Sequence, residues 1–298
     1  MTPQLDRAQE IAAREFGLIA GRFAESRALF GEGWAHEFDG VLERMMPGEE
    51  TLRDALAGYT EFAVDSMRMQ VAFQKTGRYV TGSFEDACGA VYHDEAHMSR
   101  EYLPALLMSH FLWPHHWRHA QFYRHVFLPE LAAAEDARFH DVGVGTGFYT
   151  VSTLERAPAA DCIGWDVSPY SVAFARRQAE AAGVGERVRF RVEDIRNQHD
   201  AEPRPFLVSI EVLEHVPDPV ALLKTLSSML TDSGKAFLGT ALNAAHRDHI
   251  YLYRNEQEVV DHVEAAGFTV ESLFSARAYQ PTRRMPLVPS AAAVVARK

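Results

Sequence analysis

Residues 139–150 read Phe-His-Asp-Val-Gly-Val-Gly-Thr-Gly-Phe-Tyr-Thr, with Gly143, Gly145 and Gly147 at alternate positions just after Asp141. A short apolar run enters this segment and an apolar stretch with helical spacing leaves it. The pattern is a strand, a glycine loop and a helix. Glycine accepts positive φ and carries no Cβ, so a ligand can lie directly on such a backbone. A dinucleotide loop of the form G-x-G-x-x-G would need its third glycine where Phe148 stands, so that pattern fits poorly.

Three later runs end the same way. Residues 161–166, Asp-Cys-Ile-Gly-Trp-Asp, finish on Asp166, 21 residues past Gly145. An acid about 20 residues beyond a glycine loop ends the next parallel strand, where it can accept both hydrogen bonds of a ribose diol. Val188, Phe190 and Val192 alternate as in a strand, and that run stops at Asp194. Residues 206–219, Phe-Leu-Val-Ser-Ile-Glu-Val-Leu-Glu-His-Val-Pro-Asp-Pro, carry Glu211, Glu214 and His215 at a fourth strand end. Taken together, and in this order, the four segments resemble the motifs of the class I S-adenosylmethionine-dependent methyltransferases of small-molecule type. The resemblance covers roughly residues 125–298. It implies S-adenosylmethionine as cofactor, with the Gly143–Gly147 loop under its methionine part. It also implies Asp166 and its neighbour Val167 at the ribose, Asp194 at the adenine amino group, and the Ile195 amide at a ring nitrogen. Asp141 and Glu211 complete the expected cofactor set, Glu211 touching either the cofactor or the loop. Taken singly, Asp166 also reads as part of a helix start, since Ser168-Pro169 follows it, and Asp218 before Pro219 reads as a helix cap.

Strand and helix signals alternate after residue 130, which predicts a mostly parallel sheet with helices on both faces. Strands are expected near 138–143, 161–166, 187–192, 205–210, 234–240, 268–276 and 289–297. Helices are expected at 147–157, 169–183, 218–230 and 255–266. The fold class is therefore α/β, a Rossmann-like seven-stranded sheet, preceded by an all-helical domain over residues 1–130 and forming a second domain over 131–298. The helical part shows apolar residues at helical spacing, such as Ile11, Phe16, Ile19 and Phe23, then Leu52, Leu56, Tyr59 and Phe62. Aromatic and histidine residues crowd into 91–125. In the family such a segment before the first strand commonly forms a lid over the cofactor and acceptor. A buried helical layer or a homodimer interface is the competing expectation, and one segment can serve both.

Composition restricts the partners. The chain has 298 residues, a formal net charge of −11 and only two cysteines, Cys88 and Cys162. That charge repels phosphate backbones and disfavours nucleic acid as substrate. Neither cysteine suggests a disulfide framework, no apolar run spans a bilayer, and no signal peptide is visible; a cytoplasmic enzyme is expected.

The acceptor chemistry is the open part. His215, beside Glu214, is the expected base for a hydroxyl, amine or carbon acceptor; a thioether acceptor would need none. His246 and Tyr251, in the loop Asn243–Arg254, are the other expected catalytic residues, and together with Tyr253 and Arg254 they are placed to grip a carboxylate. These features point to methyl transfer to a small polar metabolite, amino-acid-like or a natural-product precursor. The alternative is a cyclase that folds the carbon chain of S-adenosylmethionine into a small ring such as azetidine-2-carboxylate. No metal is expected. His93/His97 and His115/His119 have one-face spacing but lack the H-E-x-x-H pattern, and His246 with His249 keeps metal binding as a minor reading.

Overall fold

The computed structural model describes residues 1–79, 95–197 and 201–298. The helical region comprises α1 (Pro3–Glu15), α2 (Gly17–Met45), α3 (Glu49–Thr76), α4 (Leu103–Leu112), α5 (Pro114–Phe122) and α6 (Leu128–Ala133). Two π-helical turns, His97–Tyr102 and Tyr123–Phe127, are spliced into it. The remainder alternates β1 (Arg138–Val142), α7 (Phe148–Arg156), β2 (Asp161–Asp166), α8 (Pro169–Ala181), β3 (Val188–Val192), β4 (Arg204–Ile210), α9 (Pro219–Ser228), β5 (Leu230–Leu242), α10 (Glu256–Ala265), β6 (Thr269–Arg277) and β7 (Ser290–Arg297). All seven strands form one sheet in the order β3-β2-β1-β4-β5-β7-β6. β1 to β5 run parallel, and β7 inserts antiparallel between β5 and β6. This is the Rossmann-like arrangement expected above.

Local chemistry explains the helix starts. Ser168, Asp218 and Asn255 each cap a helix by accepting from a main-chain N–H three residues on, and proline opens α8 and α9. Asp218 is therefore a cap, as its place before Pro219 implied. Gly267, at φ 92°, ends the turn after α10 where a side chain would strain the backbone.

Alternate residues of each strand feed opposite layers. Phe139, Val208, Phe237 and Val295 pack under α4, α5 and α7, beside Phe111, Tyr123 and Phe127. Val142, Leu207, Leu238 and Val294 pack under α9 and α10, beside Leu223, Leu226 and Val263. Two buried polar devices tie the layers. Trp34 Nε1 donates to the Phe111 carbonyl (3.0 Å). Buried Gln70 of α3 donates to the carbonyls of Asn243 (3.0 Å) and Leu287 (2.9 Å) and accepts from Ala245 N (3.0 Å). The helical region thereby reaches the loop that follows β5. The buried free thiol Cys162 sits in β2; Cys88, Tyr92 and His93 lie outside the described residues. Among the described residues, no helix is long and apolar enough to cross a membrane.

Candidate active site

The strand order reverses between β1 and β4, and their carboxyl ends open a crevice there, the usual ligand position in such sheets. The Gly143–Gly147 loop forms its floor. Gly143 N and Val144 N donate to the Trp165 carbonyl (2.8 and 3.1 Å), and Gly147 N donates to the Val144 carbonyl (2.7 Å). The three glycines have φ of 76°, 50° and 79°, all left-handed. Their surroundings differ. A Cβ on Gly143 would stand 2.3 Å from Val212 Cγ2, and one on Gly147 2.9 Å from Ala175 Cβ. A Cβ on Gly145 would meet nothing nearer than 3.8 Å. Gly143 and Gly147 are set by packing, whereas Gly145 leaves the floor open. Gly143→Ala is therefore expected to cost about 3 kcal/mol, combining left-handed strain with overpacking. Gly145→Ala should cost nearer ~1 kcal/mol from φ alone. Chemical denaturation of the two variants checks the order; equal losses would contradict it.

The acids line the crevice in different states. Asp166 accepts from Gly145 N at Oδ2 (2.9 Å) and from Ser168 N at Oδ1 (2.8 Å), clamping the loop to the end of β2. Burial pushes its carboxyl upward despite those donors. Asp141 is buried beneath the loop, accepts from Thr150 Oγ1 (2.5 Å), and is pushed up to about 7 by burial. Asp194 is held by the main chain and guanidinium of Arg196, at 2.7–3.2 Å, and by Asn197 Nδ2 (3.3 Å). Burial raises its carboxyl, but Arg196 outweighs that and leaves it lowered. Val167 and Ile195 also line the cavity.

Glu211 sits at the end of β4 with φ 55°, a conformation unfavourable to a side-chain-bearing residue and found at functional sites. Its Oε1 is buried without a partner. Burial and the neighbouring Glu214 carboxylate push its carboxyl well up. Glu214 is fully buried; its carboxylate accepts from Thr240 Oγ1 (2.7 Å) and Ala241 N (3.3 Å), and its carbonyl from Ile250 N and Tyr251 N. It splices β4 to the loop after β5.

That loop brings His246, Asp248 and His249 against His215. His215 Nδ1 lies 2.9 Å from the Asp248 carbonyl and 3.6 Å from its Oδ2. His246 Nδ1 donates to Asp248 Oδ1, and Tyr102 Oη donates to Asp248 Oδ2 (3.2 Å). His249 Nδ1 donates to the Ala244 carbonyl (2.7 Å). Burial would lower His215, but Asp248 and Glu214 raise it overall. Burial and its neighbour His215 push His249 down to about 3. Burial alone would raise Asp248, yet His215 and His246 hold it well below the usual carboxylate range. Ligand atoms of Glu214, His215 and His249, and of His246, Asp248 and His249, lie within 4.8 Å of one another. Hydrogen bonds already engage Glu214, Asp248 and the Nδ1 atoms of these imidazoles.

Tyr251 does not join them. It packs on Tyr253 and His262, with its hydroxyl 3.4 Å from His262 Nε2. Leu242 and Tyr253 form a β-bridge that carries this end of the loop toward α10. Tyr253 is fully buried there, and Arg254 N donates to Glu258. The expected grip on an acceptor carboxylate by His246, Tyr251, Tyr253 and Arg254 is thus corrected: of these four, only His246 lines the cavity. The far wall is helical: Phe62, Tyr102, Leu106, His110, Trp113 and His116. His115 and His119 are buried within α5, and His119 Nδ1 pairs with Tyr149 Oη (3.1 Å).

Tyr102 belongs to the aromatic 91–125 segment expected as a lid, but its pairing with Asp248 and the part played by Gln70 were missed in the sequence. Tyr102 and Asp248 are 146 residues apart, and Gln70 lies 173 residues from Asn243. No local spacing announces such pairs.

Residues 139–234 match the sequence model of a methyltransferase domain. A ubiquinone biosynthesis O-methyltransferase of Xanthomonas euvesicatoria pv. vesicatoria is 35% identical over 106 residues, covering 35% of this chain and 43% of that protein. The corresponding protein of Xylella fastidiosa strain 9a5c is 30% identical over 106 residues, covering 35% and 42%. The matches thus span less than half the length of these relatives. The N-methyltransferase NodS from Bradyrhizobium japonicum WM9, solved with S-adenosyl-L-homocysteine, superposes with a TM-score of 0.52 at 17% identity, over 72% of this chain and 98% of that one, a likeness of fold. With the glycine loop, the acid-tipped strands and the matched sequence on one sheet, this chain carries a class I S-adenosylmethionine-dependent methyltransferase domain.

Proposed function

We propose that this chain transfers a methyl group from S-adenosylmethionine to a hydroxyl of a small acceptor with an apolar, ring-shaped body. The supporting observation is the crevice itself: an open floor at Gly145, Asp166 on one side, His215 and Glu211 on another, and a wall of Phe62, Tyr102 and Trp113. The cofactor fits the residues present. A carboxylate offers about four lone-pair sites. Asp166 accepts from Gly145 and Ser168, with the Val167 amide also beside it, and keeps capacity for a ribose hydroxyl on its cavity side. Val167 and Ile195 offer apolar faces for a purine, and the Ile195 amide a donor for it. Asp194 is the poorer candidate for the adenine amino group, because Arg196 and Asn197 already fill its lone pairs. Asp141 acts from beneath the loop. Glu211, with its unpartnered oxygen, faces the methionine end. When bound, S-adenosylmethionine supplies a methyl group on a positively charged sulfur.

The O-methyltransferase activity of the relatives supports a hydroxyl acceptor, and the aromatic wall supports an apolar ring to carry it. An amino-acid-like acceptor loses its main support now that Tyr251 and Arg254 lie elsewhere. The helical region, residues 1–130, serves as the cap that excludes water, so that positioning does most of the catalytic work. The test is incubation with S-adenosylmethionine and a panel of phenols and catechols. S-adenosylhomocysteine together with a methylated ring hydroxyl is the expected result. Methylthioadenosine without a methylated product would replace this reading with ring closure of the cofactor's own carbon chain.

A further inference from the structure

Asp248 is fully buried where the helical wall meets the loop after β5. We propose that Asp248 is a positioning residue that holds His215 as the proton acceptor for the substrate hydroxyl. This deepens the O-methylation reading and rests on it.

The geometry fixes the tautomer. A carbonyl can only accept, so the 2.9 Å contact between His215 Nδ1 and the Asp248 carbonyl places the proton on Nδ1. The neutral ring then keeps its lone pair on Nε2, and the ring lines the cavity. Asp248 is itself held: His246 Nδ1 binds Oδ1 and the Tyr102 hydroxyl binds Oδ2 at 3.2 Å. Tyr102 belongs to the helical region, so the carboxylate is pinned from both sides of the crevice. Oδ2, 3.6 Å from His215 Nδ1, supplies the opposite charge once the ring becomes an imidazolium. In the step, the acceptor oxygen forms its bond to the methyl group and its proton moves to His215 Nε2. The electron pair of the broken carbon–sulfur bond stays on sulfur, and water later removes the proton from the ring.

The charged groups around His215 come from three segments. Glu214 lies beside it on the β4 end, Asp166 faces it from β2, and Asp248 and His249 face it from the loop after β5. The two nearest imidazoles differ in partners. The His249 ring, 4.9 Å from that of His215, has its Nδ1 on the Ala244 carbonyl instead of beside a carboxylate. His249 also lies near Asp248, so what distinguishes His215 is that its Nδ1 sits on the Asp248 carbonyl itself, with Oδ2 3.6 Å away.

The test is an NMR titration of histidine ring nitrogens in the full chain with S-adenosylhomocysteine, the His215 signal identified by its loss in His215→Gln. In the wild type His215 should titrate above 6.5, the ordinary histidine value, and His249 well below it. Asp248→Asn, which keeps the shape and removes the charge, should lower the His215 midpoint by at least one pH unit, about a tenfold loss of proton affinity. Affinity for S-adenosylhomocysteine should stay within about threefold, because Asp166 and the loop are untouched. Where a phenolic acceptor is turned over, kcat should fall and KM hold. A wild-type His215 titrating below 6.5, or a midpoint unmoved in Asp248→Asn, would overturn the assignment, and the wild-type measurement stands even if the variant does not fold. Absence of binding to S-adenosylhomocysteine, with the His215 shift intact, would instead sink the methyl-transfer reading.

Discussion

Lowering the pH from 7 to 5 should loosen the helical wall of the crevice before it unfolds the sheet. His110, His115 and His119 are buried in α4 and α5 with the half-buried His116 among them, and rings such as His115 and His116 lie 4.4 Å apart. Burial keeps His116 down to about 4 and His119 down to about 3, and pushes His110 and His115 well below the ordinary value. Neighbouring charges add to this: His116, His119 and Arg124 oppose a proton on His110, and His116, His119 and Arg118 oppose one on His115. In the unfolded chain each imidazole takes up a proton near 6.5. The stability that depends on their neutrality is complete above that value and is lost as the pH falls below it, toward the folded values. At pH 5 each neutral ring has lost roughly 2 kcal/mol relative to the unfolded chain. Four of them amount to about 8 kcal/mol, comparable to the whole stability of an ordinary domain. Asp141, raised to about 7, works in the other direction, because protonation relieves its burial; it offsets roughly one imidazole. His140 of β1, lowered to about 4 by burial, loses a like amount beside Asp141, so the two nearly cancel in the sheet; His249, lowered to about 3, adds its loss on the loop facing the helices, and the net loss falls on the helical wall. Hydrogen exchange of the α4 and α5 amides at both pH values, with urea midpoints alongside, is the measurement. Equal protection at pH 7 and pH 5 would refute the expectation. Replacing His116 and His119 by glutamine should flatten the dependence, if the helices still pack.

Runs that end in an acid made the central sheet legible, because a strand that delivers a carboxylate to the crevice is short, apolar and abruptly terminated. Asp166 illustrates this: β2 ends on it, and the capped start of α8 follows two residues later. The Ala-rich run at 290–296 was read as a strand because the family resemblance implies a closing antiparallel hairpin, alanine by itself favouring helix; it lies buried between β5 and β6. The loop after β5 was not legible. Its aromatic and basic residues suggested one binding surface, but a single β-bridge at Tyr253 divides it. His246, Asp248 and His249 turn inward, while Tyr251 and Tyr253 turn toward α10. Composition carries no record of that division. Phe62 and Gln70 escaped for another reason. Their spacing on α3 is that of any buried helical face, and a face against a cavity reads like a face against a core.

Asp166→Ala should abolish measurable binding of S-adenosylhomocysteine, and for two reasons that can be separated. The proposed contact with the ribose diol is a pair of charge-assisted hydrogen bonds, and losing such a group costs about 1.5–3 kcal/mol, or roughly 10- to 150-fold in affinity. The second loss lies in the protein alone. Without the carboxylate, Gly145 N loses its 2.9 Å acceptor and Ser168 N its 2.8 Å acceptor, so the loop is no longer clamped to β2. A loop held at positive φ in three places relaxes readily once released, and an unorganised floor raises the entropy cost of binding. Asp166→Asn distinguishes the contributions. Its amide oxygen can keep one of the two main-chain donors, but its NH2 group faces the other and removes the charge. It should therefore bind more weakly than wild type and more tightly than Asp166→Ala. Removing the carboxylate also removes a buried acid that burial disfavours, so the folded state itself should lose little stability. Calorimetry with S-adenosylhomocysteine and thermal unfolding of the same samples give both quantities. Affinity within threefold of wild type in Asp166→Ala would remove this carboxylate from the cofactor site. A large fall in unfolding temperature with weak binding would make it chiefly a loop clamp. Lost affinity with the fold intact is the outcome that a carboxylate at the end of β2, facing the cavity beside the open floor at Gly145, leads us to expect.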